Sequence, residues 1–160
     1  MLFRSEQALA AAERIENAFS RSRAYCSIAL ALARARKAKQ AQGAFQQALA
    51  AAERIKDADR RSEAYCSIAL ALAQARKAKQ AQRAFQQALA AAERIMDAYR
   101  CLEAYRAVAL ALAQAGQPEQ ALAAAERIKD AYWRSEAYGA VALALAQAGQ
   151  PEQEIGRAHV

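Results

Sequence analysis

The sequence predicts an all-α solenoid of antiparallel helix pairs, about seven helices long, and three observations predict it. QALAAAERI is written four times, from Gln7, Gln47, Gln87 and Gln120, at intervals of 40, 40 and 33 residues. Self-similarity at a period of roughly 20 to 50 residues marks stacked supersecondary units. The copies are written in strong helix formers, with forty-nine alanines among Leu, Glu, Gln, Lys and Arg,. Glycine and proline are nearly absent outside two AGQPE stretches, at Ala115–Glu119 and Ala148–Glu152. Alanine buries little area, so such a core depends on close helix approach and on the few Tyr, Phe, Leu and Ile of each copy.

Taken in order, a partial helix is expected over 6–20, followed by units at about 22–61, 62–101, 102–134 and 135–153. Each unit opens on an apolar stretch: AYCSIALALA from Ala24 and Ala64, AYRAVALALA from Ala104, AYGAVALALA from Ala137. Tyr65, Ile68, Ala69 and Leu72 fall at i, i+3, i+4 and i+7, which is one face of a helix. Ser22, Ser62 and Ser135 precede these stretches and are expected to be N-caps, their hydroxyls accepting from a free backbone N–H. QALAAAERI ends the second helix of each pair. In the short units the AGQPE glycine stops one helix and the proline starts the next.

These units resemble tetratricopeptide repeats. That family places a large aromatic early in its first helix, and Tyr25, Tyr65, Tyr105 and Tyr138 match it. An aliphatic follows at Ile28, Ile68, Val108 and Val141, then a small residue at Ala29, Ala69, Ala109 and Ala142. In the second helix the small, aromatic, small pattern matches Ala41, Phe45 and Ala48, and again Ala81, Phe85 and Ala88. The resemblance covers nearly all of 6–153 and implies a right-handed superhelix. Two departures stand out: the glycine expected between the helices is Arg36 and Arg76 in the long units, and no proline follows the second helix.

Aligned on QALAAAERI, the short unit has QAGQPEQ where a long unit has QARKAKQAQRAFQQ, a loss of seven residues. Seven residues are nearly two helical turns, about 10 Å, and removing them shifts the helix phase by only about 20°. The buried face is therefore expected to survive the deletion. The rival reading of the long unit is a single unbroken helix over 62–97, which contains no Gly or Pro.

Composition argues against chemistry. The only histidine is His159, no glycine-rich phosphate loop exists, and no Cys, His or carboxylate cluster has metal-ligand spacing,. Cys26 and Cys66 recur at equivalent places, as duplicated packing residues do, and Glu53 with Asp57 and Glu126 with Asp130 read as solvated i, i+4 pairs. The expectation is a non-enzymatic protein without metal or cofactor. Three cysteines without CxxC pairing fit a reduced, cytoplasmic setting. No apolar run reaches the length of a membrane span, so no membrane partner is expected.

Function is then a question of surface. The resemblance implies a concave groove along the first helices, lined by Cys26, Leu30 and Arg34, by Cys66, Leu70 and Gln74, and by Arg106, Leu110 and Gln114. Leucine there favours an apolar or amphipathic peptide over a terminal carboxylate; the alternative is that these leucines are simply buried. A second feature is a basic ridge of Arg34, Arg36, Lys37, Lys39, Arg76, Lys77, Lys79 and Arg83. In a chain of formal charge +7 such a ridge suits nucleic acid or an acidic protein surface, against the plainer reading of a solvated edge. A protein or peptide is the first expectation and nucleic acid the second.

Both ends depart from the repeat. From Glu154 the chain reads EIGRAHV where ALAAAERI is due, and GAG ATC GGA AGA GCA CAC GTC, a possible coding sequence for it, resembles a sequencing adapter; MLFRS at 1–5 resembles its reverse complement. Residues 1–5 and 154–160 are therefore expected to be non-native tails. Head-to-tail self-association is expected as well, through one apolar face carrying Leu9 and Ile15 and another carrying Tyr138, Val141 and Leu145.

Overall fold

A computed structural model describes residues 2–148; the expected tail at 154–160 lies outside them. The described residues form eight α-helices in two compact units, one ending at Ile95 and the other beginning at Met96. Unit 1 holds α1 (Leu2–Glu13), α2 (Ala18–Arg34), α3 (Ala38–Glu53), α4 (Ala58–Gln74) and α5 (Ala78–Glu93). Unit 2 holds α6 (Ala98–Gln114), α7 (Pro118–Glu126) and α8 (Ala131–Ala148). Antiparallel pairing of α2 with α3, α4 with α5 and α6 with α7 makes a helical-repeat architecture. The residues that continue α1 upstream of Glu6 are helical from Leu2.

The cores follow the periodicity. Phe45, Ile68, Leu72, Val108 and Leu112 are fully or almost fully buried, as are Ala29, Ala69 and Ala109, the small residues that let helices approach,. Ala142, at the same register of α8, is exposed instead.

The long units turn at Arg36 and Arg76; the unbroken helix over 62–97 does not form. Both arginines are left-handed, with φ of 61° and 63°, and Gly116 takes the equivalent place in unit 2 with φ of 77°. At each turn two backbone bonds close the helix: Lys37 N–H to Leu32 O (3.0 Å) and Arg36 N–H to Ala33 O (3.1 Å), with the same pair at Lys77 and Arg76 and at Gln117 and Gly116. This is the Schellman geometry, which glycine adopts without steric cost and arginine does not.

The first helices start earlier than the serines predict. Asn17, Asp57 and Asp97 are the N-caps of α2, α4 and α6, accepting from Ser20, Asp59 and Arg100 N–H. Asp130 likewise accepts from Trp133 N–H at 3.0 Å. Ser22 and Ser62 lie a full turn inside their helices, buried. Their hydroxyls donate across the pair to Ala48 O (3.1 Å) and Ala88 O (2.9 Å), and Ser135 is exposed. An Asx side chain outcompetes a later serine for the cap, and a buried hydroxyl needs a partner of its own. The same observation removes the i, i+4 reading of Glu53 with Asp57 and of Glu126 with Asp130, because each pair straddles a connector. Those connectors are tied by Arg21, Arg61 and Arg134, which donate to Ile15, Ile55 and Ile128 O at 2.9, 2.7 and 3.0 Å.

The seven-residue loss falls wholly within the second helix of the pair, α5 having 16 residues and α7 only 9. Counted back from the terminal glutamate, Ala88, Ala91 and Ala92 of α5 match Ala121, Ala124 and Ala125 of α7, all buried. Phase is kept and two turns, positions 78–84, are gone, and Pro118 stands in the register of Phe85.

Candidate interaction faces

The groove residues are built by the LALA run of each first helix. Leu32, Leu72 and Leu112 enter the core, at 4 %, 0 % and 1 % exposure. Leu30, Leu70 and Leu110, two residues earlier, are only half-buried. Within unit 1 α2 packs beside α4, and Cys26 Sγ–H donates to Ser67 O at 3.8 Å. That contact sets Cys26, at the start of the Cys26, Leu30 and Arg34 row, beside α4, which carries the Cys66, Leu70 and Gln74 row. Arg34 and Gln74 are exposed at the end of each row. Arg106, Leu110 and Gln114 form the corresponding row on α6 in unit 2, with Arg106 and Gln114 exposed.

The thiols in these rows are not poised for chemistry. Burial pushes Cys26 from 9.0 up to about 11, and burial followed by the charge of Glu63 does the same for Cys66. A thiol held protonated is a weak nucleophile near neutral pH. Tyr65 is also raised, first by burial and then by Glu53, with Arg61 opposing.

The ridge cations lie at or near the α2–α3 and α4–α5 turns of unit 1, with Arg83 more than a turn inside α5. Arg34, Arg36, Lys39, Arg76, Lys79 and Arg83 are exposed, and Lys37 and Lys77 are half-buried at the N-cap positions of α3 and α5. A shallow groove of about 670 Å3 runs between α3 and α5, lined by Gln42, Gln46, Gln80, Arg83 and Gln87 among others. Its counterpart one repeat earlier, between α1 and α3, is about 790 Å3 and reaches Arg21 and Tyr25 of α2. Gly43 stands there in the register of Arg83.

One surface was missed by the sequence reading. At the start of the first helices in unit 2, Tyr99 and Tyr132 each meet Trp133 edge-to-face, with centroids 6.0 and 5.2 Å apart. Met96, Tyr99 and Tyr132 are exposed, Met96 at 98 %. The signal was substitution within the repeat: Met96 and Tyr99 replace Lys56 and Asp59. In unit 1 the same register holds Phe19, which packs under the guanidinium of Arg60 at 5.0 Å.

The two faces expected to mediate self-association are more covered than the sequence suggests. Val141 is 1 % exposed, and Leu9, Ile15, Tyr138 and Leu145 are half-buried. Packing of α8 against both α6 and α7 accounts for Val141.

No protein-family profile matches the sequence. No curated protein matches it either. Among solved structures, Ton1535 from Thermococcus onnurineus NA1 is similar, with a TM-score of 0.69 over 90% of this chain at 21% identity. The match spans 43% of that protein, so this chain corresponds to less than half of it. At that identity the likeness bears on the fold alone. Among the described residues no helix is long and apolar enough to cross a membrane.

Proposed function

We propose that this chain is a non-enzymatic protein-interaction module of the tetratricopeptide type, a segment of a longer array that takes an apolar or amphipathic peptide along its first-helix face. The observation that carries the reading is the split fate of the LALA leucines. Leu32, Leu72 and Leu112 are consumed by the core, while Leu30, Leu70 and Leu110 remain half-open at one register. Within unit 1 the partly exposed Leu30 and Leu70, flanked by exposed Arg34 and Gln74, suit a helix that presents apolar residues at i, i+3 and i+4 with a polar rim, and α6 of unit 2 carries the same pattern by itself. Three cysteines without CxxC spacing suit a reduced, intracellular setting. Phage-displayed helical peptides, selected on the wild type and counter-selected on Leu30→Glu/Leu70→Glu, test the reading. Enriched peptides should carry an apolar stripe and bind the wild type at least about tenfold more tightly, the weight of one or two buried anchors. Equal binding to both proteins would remove the groove from consideration.

A further inference from the structure

Unit 1 segregates its charge by edge. No Asp or Glu occurs between Glu16 and Glu53, nor between Glu63 and Glu93. These two acid-free stretches contain both turns and all eight ridge cations. Asp57 and Asp59, Glu53 and Glu93 sit at the other end, in or beside the connectors, where the ion pair Arg60–Asp57 forms at 4.0 Å. No ridge cation has an acidic partner among the described residues. The cationic edge also carries the N-termini of α3 and α5. Neither has the side-chain cap that α2, α4 and α6 possess, and their N-cap positions hold Lys37 and Lys77. The two starts are held side by side by a reciprocal amide pair, Gln42 Nε2 to Gln80 Oε1 at 3.4 Å and Gln80 Nε2 to Gln42 Oε1 at 3.3 Å.

An edge shaped only for solvation mixes signs, because i, i+4 pairs then add stability. This edge forgoes such pairs and accumulates like-charge repulsion. We propose that the α2–α3 and α4–α5 turns of unit 1 form a binding edge for the phosphate backbone of nucleic acid, without base readout. Nucleic acid is favoured over an acidic protein because protein interfaces depend on buried aromatic, Arg or aliphatic anchors in pockets, whereas the residues between these cations are Ala and Gln. Phosphate and sugar contacts need only cations, side-chain amides and backbone N–H groups. The edge lacks the aromatic rings on which unstacked bases would lie, so the contact is to backbone alone. This inference does not rest on the peptide groove, with which the edge shares only Arg34.

Fluorescence anisotropy with a labelled mixed-sequence DNA duplex, read across a salt series, tests it. The test variant is Arg36→Gly, Lys37→Gln, Arg76→Gly and Lys77→Gln, in which glycine suits the left-handed turns. The control removes as many charges from the connectors of unit 1: Arg14→Gln, Arg54→Gln, Lys56→Gln and Arg94→Gln. The wild type should bind with a steep salt dependence, and the test variant should lose at least about tenfold at low salt with a log–log slope shallower by about 3 to 4. The control should stay near the wild type. If circular dichroism shows that the test variant has lost helix, Lys37→Gln/Lys77→Gln alone should give about half the change in slope. Equal losses in test and control variants would reduce the effect to net charge and overturn the site. So would absence of salt-dependent binding by the wild type, or competition by polyglutamate as effective as that by DNA, which would assign the edge to acidic protein.

Discussion

In α5 sixteen residues bury Phe85 in mid-helix, while in α7 only nine remain, burying Ala121, Ala124 and Ala125 and placing Pro118 in the register of Phe85. The edges of the two units differ in step. Unit 1 has an arginine turn, cations and no acids; unit 2 has Gly116, Pro118 and Glu119. At the connectors the order reverses, with Phe19 shielded by Arg60 in unit 1 and Tyr99, Tyr132 and Trp133 exposed or half-exposed in unit 2. Helix phase is the quantity the repeat conserves, since a shift of the buried stripe would expose every core alanine at once. Length is free within whole turns. The seven lost positions, 78–84, carry Lys79 and Arg83, and the positions beside them change as well, Phe85 to Pro118, Arg76 to Gly116 and Lys77 to Gln117, so core anchor and charged edge go together.

The largest expected effect breaks this comparison at Phe45, which is wholly buried. Phe45→Ala should cost about 3 to 5 kcal/mol, because it leaves a cavity in a core that is rich in alanine,. Tyr138→Ala in unit 2, half-buried, should cost distinctly less. Chemical denaturation followed by circular dichroism measures both. Trp133, the only tryptophan, reports unit 2, so a Phe45→Ala protein should show its larger shift by circular dichroism. Equal costs at the two sites would mean that the large aromatic of the long helix is not the anchor of unit 1.

Helix number, pairing and core register could be read from the sequence because they depend on period, which a repeat writes several times over. Helix starts could not. A serine before an apolar run can cap a helix or donate to a neighbouring one, and only packing decides; the better signal was the Asn or Asp five residues upstream. The turns at Arg36 and Arg76 could be placed only by homology to Gly116, since nothing in an RKAK run forbids a continuous helix. Leu30 and Leu32 are separated by one alanine and differ by about 200° of rotation, so register with Tyr25 assigned one to the surface and one to the core. The aromatic edge of unit 2 escaped because Tyr99, Tyr132 and Trp133 stand at positions where the other copies carry Phe19, Asp59 and Arg60, outside the repeated pattern that guides the reading.

A smaller effect is expected at Ser62. Its hydroxyl donates to Ala88 O from a buried position, and Ser62→Ala should cost about 1 to 1.5 kcal/mol by losing one inter-helix hydrogen bond without leaving a buried donor. Leu102 occupies this register in unit 2, where the bond has no counterpart. Ser135→Ala, at an exposed site, should be close to neutral in the same denaturation assay. A neutral Ser62→Ala would show that the bond seen in both long pairs adds nothing beyond shape.

The turns give the smallest and most discriminating pair. Gly116 is left-handed at φ of 77°, and an added Cβ meets nothing within 4 Å. Gly116→Ala therefore carries only the backbone penalty, about 1 to 2 kcal/mol, partly offset by the lower entropy of the unfolded alanine chain. The net cost should be about 1 kcal/mol or less. Arg76→Gly runs the argument backwards. It removes the penalty of an arginine at φ of 63° and adds the entropy cost of glycine in the unfolded state, for a net gain of about 0.5 kcal/mol. The gain should increase at low salt, because the same change also removes one charge from an edge that has no acids, and repulsion among exposed charges is strongest where screening is weakest. Denaturation at two salt concentrations separates the terms: a gain that is independent of salt is backbone relief alone. A loss of stability on Arg76→Gly would mean that the guanidinium makes a contact worth more than the strain, and the long units would then owe their turn to that side chain and not to the Schellman bonds they share with Gly116.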